Sequence, residues 1–190
     1  IQITFMQLSR YLLCACCALL THTAVAQSSP VMLRVKATGG DSHDDIKNSN
    51  ASVHHQSKEL TATITNLSRE EQKGLTVKWY AFGREVKSNR VVIFSSASNS
   101  ITLPPAKAGA DTFKAATTYT PDHSVVSSSR SRTSGKTRTS VKKVSGSGTK
   151  MLGWGVQVMR DGKVVAEEFQ PAGQKASLST AQPTSSGKKK

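Results

Sequence analysis

The chain has 190 residues and a formal net charge of +14, with 36% hydrophobic and 5% aromatic residues. That length allows one core of ordinary size, leaves little room for two domains and excludes a large barrel enzyme. Charged residues at 20%, with abundant Ser and Thr, do not suit a coiled coil.

The N-terminal residues have the layout of a secretory signal peptide. Met6 is a plausible start, with residues 1–5 as upstream sequence. Arg10 supplies one positive charge, residues 11–20 form a short apolar run, and Ala24-Val25-Ala26 offers a small-x-small cleavage site. The run is about half the length a permanent bilayer helix needs, so no transmembrane anchor is expected in the mature chain. Cys14, Cys16 and Cys17 all lie before the cleavage site, and residues 27–190 contain no cysteine. An exported chain without disulfides depends on its core alone. Cleavage removes only Arg10 among the charged residues, so the mature net charge is +13. The expected location is periplasm, outer envelope or secreted.

Residues 31–36 alternate, with Val31, Leu33 and Val35 on one side, as in a half-buried strand. Residues 39–57 are polar and read as a long loop. Residues 60–66 alternate Leu60, Ala62 and Ile64 with threonines, whose branched carbon fits a pleated surface. Residues 67–73 are a polar connection. Residues 75–82 carry the strongest strand signal, with Leu75, Val77, Trp79 and Ala81 on one face and Thr76, Lys78, Tyr80 and Phe82 on the other. Shorter strands are expected at 91–94, 101–103 and 112–120. Pro104-Pro105 ends the second of these.

The clearest hairpin joins residues 152–159 to residues 164–169 through Asp161-Gly162, a pair that tolerates positive φ. A last short strand is expected at 176–179. No stretch of helical length has a 3.6-residue period. Short alternating strands broken by Gly, Pro, Asn and Ser predict an all-β fold, an antiparallel β-sandwich of seven or eight strands spanning residues 27–179.

Residues 124–150 differ from the rest. They hold 13 Ser or Thr and 7 basic residues, and no aromatic. With so little to bury, most of the segment is expected to be a mobile basic loop, with residues 141–144 as a candidate edge strand. Residues 180–190, ending Lys188-Lys189-Lys190, are expected to be a disordered basic tail.

The series Leu60-Thr-Ala-Thr-Ile-Thr-Asn66, then Leu75-Thr-Val-Lys-Trp-Tyr-Ala-Phe-Gly83, resembles small exported immunoglobulin-like or fibronectin-like domains. Gly153-Trp-Gly-Val-Gln-Val-Met-Arg-Asp-Gly-Lys-Val-Val165 is similar to secreted proteins of the Verrucomicrobia and neighbouring groups. One such secreted sandwich resembles the globular part of archaeal pilins. The resemblance covers residues 31–120 and 151–179. It implies an immunoglobulin-like sandwich and a structural role, and it carries no catalytic residues.

No Gly-x-Ser-x-Gly elbow or His-Glu-x-x-His motif is present. Ser134-Gly135-Lys136-Thr137 contains Gly-Lys-Thr, but Arg130 stands where a P-loop needs its first glycine. No enzyme activity, cofactor or metal is expected. Asp41, His43, Asp44, Asp45, His54 and His55 are the one constellation with metal-ligating chemistry, and a solvated polar loop explains them equally well. Trp79 and Trp154 share faces with aliphatic neighbours and read as core.

Two surface sites are expected. Lys78, Tyr80, Phe82 and Arg84 form a contact patch. Arg130, Arg132, Lys136, Arg138, Lys142 and Lys143, with Lys150 beyond, form a polyanion contact. Partners in keeping with these are a second copy, an envelope protein, an acidic glycan or lipid headgroups. Nucleic acid is not expected, because aromatic interleaving is missing. The function read from the sequence is a non-enzymatic exported structural or interaction module of the bacterial envelope, self-association included. Its rivals are a polyanion- or glycan-binding module and a weak metal-dependent or glycan-processing enzyme.

Overall fold

The computed structural model describes residues 29–130, 137–180 and 182–183. The segments assigned to a signal peptide and to most of the C-terminal tail lie outside the described residues. Ten strands are described: β1 (Val31–Asp45), β2 (Ser52–Asn66), β3 (Gln72–Glu85), β4 (Val91–Leu103), β5 (Ala108–Thr120), β6 (His123–Arg130), β7 (Thr137–Val144), β8 (Ser147–Arg160), β9 (Lys163–Gln170) and β10 (Gln182–Pro183). All pairings are antiparallel except β10 on β4.

Hydrogen bonding runs β1-β2-β5-β8-β3-β4-β10, with β9 also on β8. The link between β5 and β8 is only two residues long, Tyr119 opposite Gly148 and Thr120 opposite Ser147. Beyond it the path divides into two layers that share one core, a sandwich-type arrangement. Leu60, Ala62, Ile64, Phe113 and Ala115 come from β2 and β5; Leu75, Val77, Trp79, Ala81, Trp154, Val156 and Val158 come from β3 and β8. These are the alternate positions read from the sequence, because a strand turns every second side chain to one face. The indole of Trp79 stacks on Phe113 at 5.7 Å between centroids. Its Nε1 donates to Asp111 Oδ2 at 2.6 Å, and Asn99 Nδ2 holds the other carboxylate oxygen at 2.9 Å. A buried N–H is thus satisfied by a charge that stays hydrogen-bonded.

The β8–β9 hairpin turns at Asp161 (φ 50°) and Gly162 (φ 77°). Two successive positive φ values match the twist of the flanking strands, as the Asp-Gly pair predicts. Asn66 is buried and ties the connection after β2 to β4. Its Nδ2 faces the carbonyls of Glu70 and Leu103, while its Oδ1 accepts from Ser68 N and Oγ.

Several strands are longer than the sequence pattern predicts. The polar stretch 39–57 is not a long loop; β1 and β2 continue in register to Asp45 opposite Ser52. Only six residues, 46–51, turn between them, and Asn48 takes the left-handed conformation there (φ 58°). Hydrogen bonds of the ladder do not require apolar side chains, so a pairing begun in the core extends past it. The short runs at 91–94 and 101–103 belong to one strand, β4, for the same reason.

Residues 124–150 are not a loop throughout. β6 and β7 pair residue for residue from His123–Val144 to Arg130–Thr137. The strand expected at 176–179 is instead helical: a 3-10 turn, Ala172–Ala176, runs into one helical turn, Ser177–Thr180. Gln182–Pro183, assigned to the tail, then pairs with Val92 and Ile93 of β4.

Candidate functional site

The β1–β2 hairpin outruns its core. Fifteen residues of extended chain span about 50 Å, yet the buried positions end at Leu60 on β2. On β1, every residue from Lys36 to Asp45 is exposed. The second hairpin, β6–β7, meets the tip of the first. Val126 N donates to Asn48 O at 2.9 Å, and Ser49 bridges Val125. An open groove of about 750 Å³ lies at this junction, lined by Asn48, Asn50, Ser124, Val126, Ser127 and Ser128 among others. The two hairpins make an outer blade of sheet, polar and largely solvent-facing, beyond the sandwich.

The basic residues sit on this blade, but not as one patch. Arg138 and Lys142 of β7 share a face with Ser129, Ser127 and Val125 of β6, their cross-strand partners being Ser129 and Val125. Lys143 and Arg130 lie on the opposite face, flanking the directly opposed pair Val126 and Val141. Both valines are exposed, Val141 at 64%. Strand alternation therefore splits the charge two and two. Arg130, Arg138, Lys142 and Lys143 are all exposed, and none forms an ion pair among the described residues. Arg132 and Lys136 lie outside the described residues. Lys150 is on β8, with its Nζ 5.9 Å from the centre of the Tyr119 ring.

Alternation also divides the His/Asp series. Asp41, His43 and Asp45 share a face with His54, while Asp44 shares the other with His55. On the first face His43 and His54 are opposed, 6.2 Å between ring centroids, and His54 stacks on Tyr119 at 4.7 Å. On the second, His55 Nε2 lies 3.1 Å from Asp44 Oδ2, and His55 Nδ1 lies 3.3 Å from Thr118 Oγ1. Among the described residues no group of three or more His, Cys, Asp or Glu converges as a metal site would require.

The patch of Lys78, Tyr80, Phe82 and Arg84 needs correction at Phe82, which is fully buried. Its face is covered. Gly155 of β8 lies opposite both Tyr80 and Phe169, and a Cβ there would stand 2.3 Å from the Phe169 ring. The missing side chain lets that ring lie over the sheet, 6.4 Å from Phe82. Phe82, Val92 and Phe169 are thus buried outside the principal core. A covering ring from a distant strand leaves no mark on the local alternation.

Tyr80 is half-buried beside Phe82. Burial raises its hydroxyl pKa above the usual tyrosine value. Its Oη lies 3.3 Å from Gln157 Oε1, and Gln157 Nε2 donates to Glu167 Oε2 at 3.1 Å. Glu167 in turn accepts from Lys175 on the C-terminal turn, and that hydrogen bond holds its carboxyl below the usual range. Arg84 is exposed, its Nη1 donating to Asn89 Oδ1 at 3.2 Å. Sequence reasoning missed this chain of contacts because its four members come from four separate elements, β3, β8, β9 and the C-terminal turn.

Among the described residues no helix is long and apolar enough to cross a membrane. No family model matches the chain, and no curated protein does. Among the solved structures similar to it are two at 16% identity. One is the X-ray structure of a Northeast Structural Genomics Consortium target, SoR45, with a TM-score of 0.32 over 63% of this chain and 87% of that one. The other is a crystal structure from Akkermansia muciniphila, with a TM-score of 0.28 over 84% of each chain. Likeness at this level assigns neither a family nor a site.

Proposed function

We propose that the chain is an exported, non-enzymatic structural or interaction module built on an immunoglobulin-like or fibronectin-like sandwich. The strand partition supports the fold. With the β6–β7 hairpin set aside as an insertion, the first, second and fifth strands share one layer; the third, fourth, sixth and seventh share the other. Immunoglobulin-type domains divide their first, second and fifth strands from their third, sixth and seventh in the same way.

The observation that carries the functional reading is the outer blade. Fixing each backbone residue costs about 1–2 kcal/mol of conformational entropy, and β6–β7 and the outer half of β1 bury almost nothing within the chain. A sheet so extended, polar and exposed is suited to present its edges and faces to another macromolecule.

The test is to replace His123–Val144 by a short Gly-Ser turn. The core cluster draws no residue from this hairpin, so tryptophan fluorescence and the unfolding midpoint should stay close to those of the intact chain. Retention on immobilised envelope material of the source cell should be lost. Equal retention of the two chains would overturn the reading. The exposed cations Arg130, Arg138, Lys142 and Lys143 favour one second reading, a polyanion or acidic-glycan contact. Retention on heparin that requires the hairpin and fades with salt would select it.

A further inference from the structure

Two strand edges of the blade are open among the described residues, and they carry opposite charge. β1 pairs only with β2, so the outer edge of Gly39–Asp45 presents unpaired backbone groups. β6 lies between the hairpin tip and β7, so the far edge of β7 does likewise. An open edge of this length is a template for another strand. Nothing caps either one with proline, and no bulge interrupts β1–β2 or β6–β7.

The stretch 39–45 contains Asp41, Asp44 and Asp45 and no Lys or Arg; the stretch 137–144 contains Arg138, Lys142 and Lys143 and no Asp or Glu. The spacing matches as well as the sign. Asp41 and Asp45 are four residues apart and so share one face of their strand. Arg138 and Lys142 are also four apart and share one face of theirs. Alignment of the two strands in either direction sets both acids opposite both bases, where opposite charges across a ladder attract and like charges repel. All four side chains are exposed. Among the described residues the acids hold only neutral partners, Gln56 on Asp41 and Ser52 on Asp45.

We propose that the outer edge of β1 in one copy of this chain pairs with the outer edge of β7 in a second copy. This rests on the interaction-module reading and names its partner. The two edges are different surfaces, so the contact is head-to-tail. Each added copy leaves one edge of each kind free, and assembly grows into a ring or an open filament.

Charge reversal tests it, with molar mass followed by light scattering on the chain as recovered from an exporting host. The wild-type mass should rise with concentration and fall to that of a monomer in high salt. A chain carrying Asp41→Lys and Asp45→Lys has two basic edges, and one carrying Arg138→Glu and Lys142→Glu has two acidic edges. Each alone should be monomeric, and an equimolar mixture should regain assembly. Asp41→Asn with Asp45→Asn should weaken assembly without abolishing it, which separates lost attraction from a fold damaged by reversal. A wild-type chain that is monomeric at every concentration, reversed chains that assemble like wild type, or a mixture that stays monomeric would each overturn the proposal. Retention on envelope material that survives such a result would leave the module reading standing; loss of both would remove both.

Discussion

Trp79 is the largest fully buried side chain among the described residues. It stacks on Phe113 from the opposite layer and donates to Asp111, which Asn99 also holds. Trp79→Ala leaves a cavity at the junction of the layers and an aspartate deprived of a donor. The expected loss is about 3–5 kcal/mol by urea denaturation. Trp79→Phe keeps most of the apolar contact and removes only the N–H, so about 1–3 kcal/mol is expected. Equal losses for the two would show that the hydrogen bond, and not the packing, governs the site. Trp154, 7% exposed, fills the same core nearer its edge.

At the scale of elements, packing on both faces of β3 separates this molecule from a sheet with one wet side. The inner face meets β2 and β5. The outer face is covered in part by Phe169, which reaches across Gly155. Gly155→Ala would drive a methyl group into that ring, and overpacking of this kind costs about 1–3 kcal/mol. Gly173, in the C-terminal turn, has nothing within 4 Å of its Cβ position. Gly173→Ala should therefore stay within about 0.5 kcal/mol of wild type. Thermal unfolding of the two variants side by side checks the account; a neutral Gly155→Ala would mean that the Phe169 ring is free to move aside.

The whole molecule joins a compact core to a blade of sheet that gives the core cluster no residue. The charge is uneven in the same sense, acidic along the outer β1 edge and basic along β7. An exported chain has no cysteine to staple such an extension if residues 1–26 are removed, since Cys14, Cys16 and Cys17 all go with them. Expressed in an exporting host, the chain should be recovered beginning at Gln27 and should show no titratable thiol. An intact mass that includes Met6 would overturn the export reading and return three cysteines to the mature protein.

The sequence by itself determined the strand character and the inner face. Leu60, Ala62, Ile64, Leu75, Val77, Trp79, Val156 and Val158 stand at alternate positions and are all fully buried, because a period of two turns each apolar residue to one side of a strand. The Asp161-Gly162 turn was equally legible, since positive φ is a local demand. Where strands stop was not legible. β1, β2, β6 and β7 run on through Ser, Thr, His and Asp, held by backbone bonds to a neighbour that polarity cannot announce. Only the tertiary structure decided that Phe82 is buried, since the ring covering it arrives from 87 positions along the chain. Only the tertiary structure split the four described basic residues of β6 and β7, and the His/Asp series, between opposite faces, because these stretches became strands where their composition suggested a loop. The same pairing left two oppositely charged edges open, a feature that no residue of either strand carries alone.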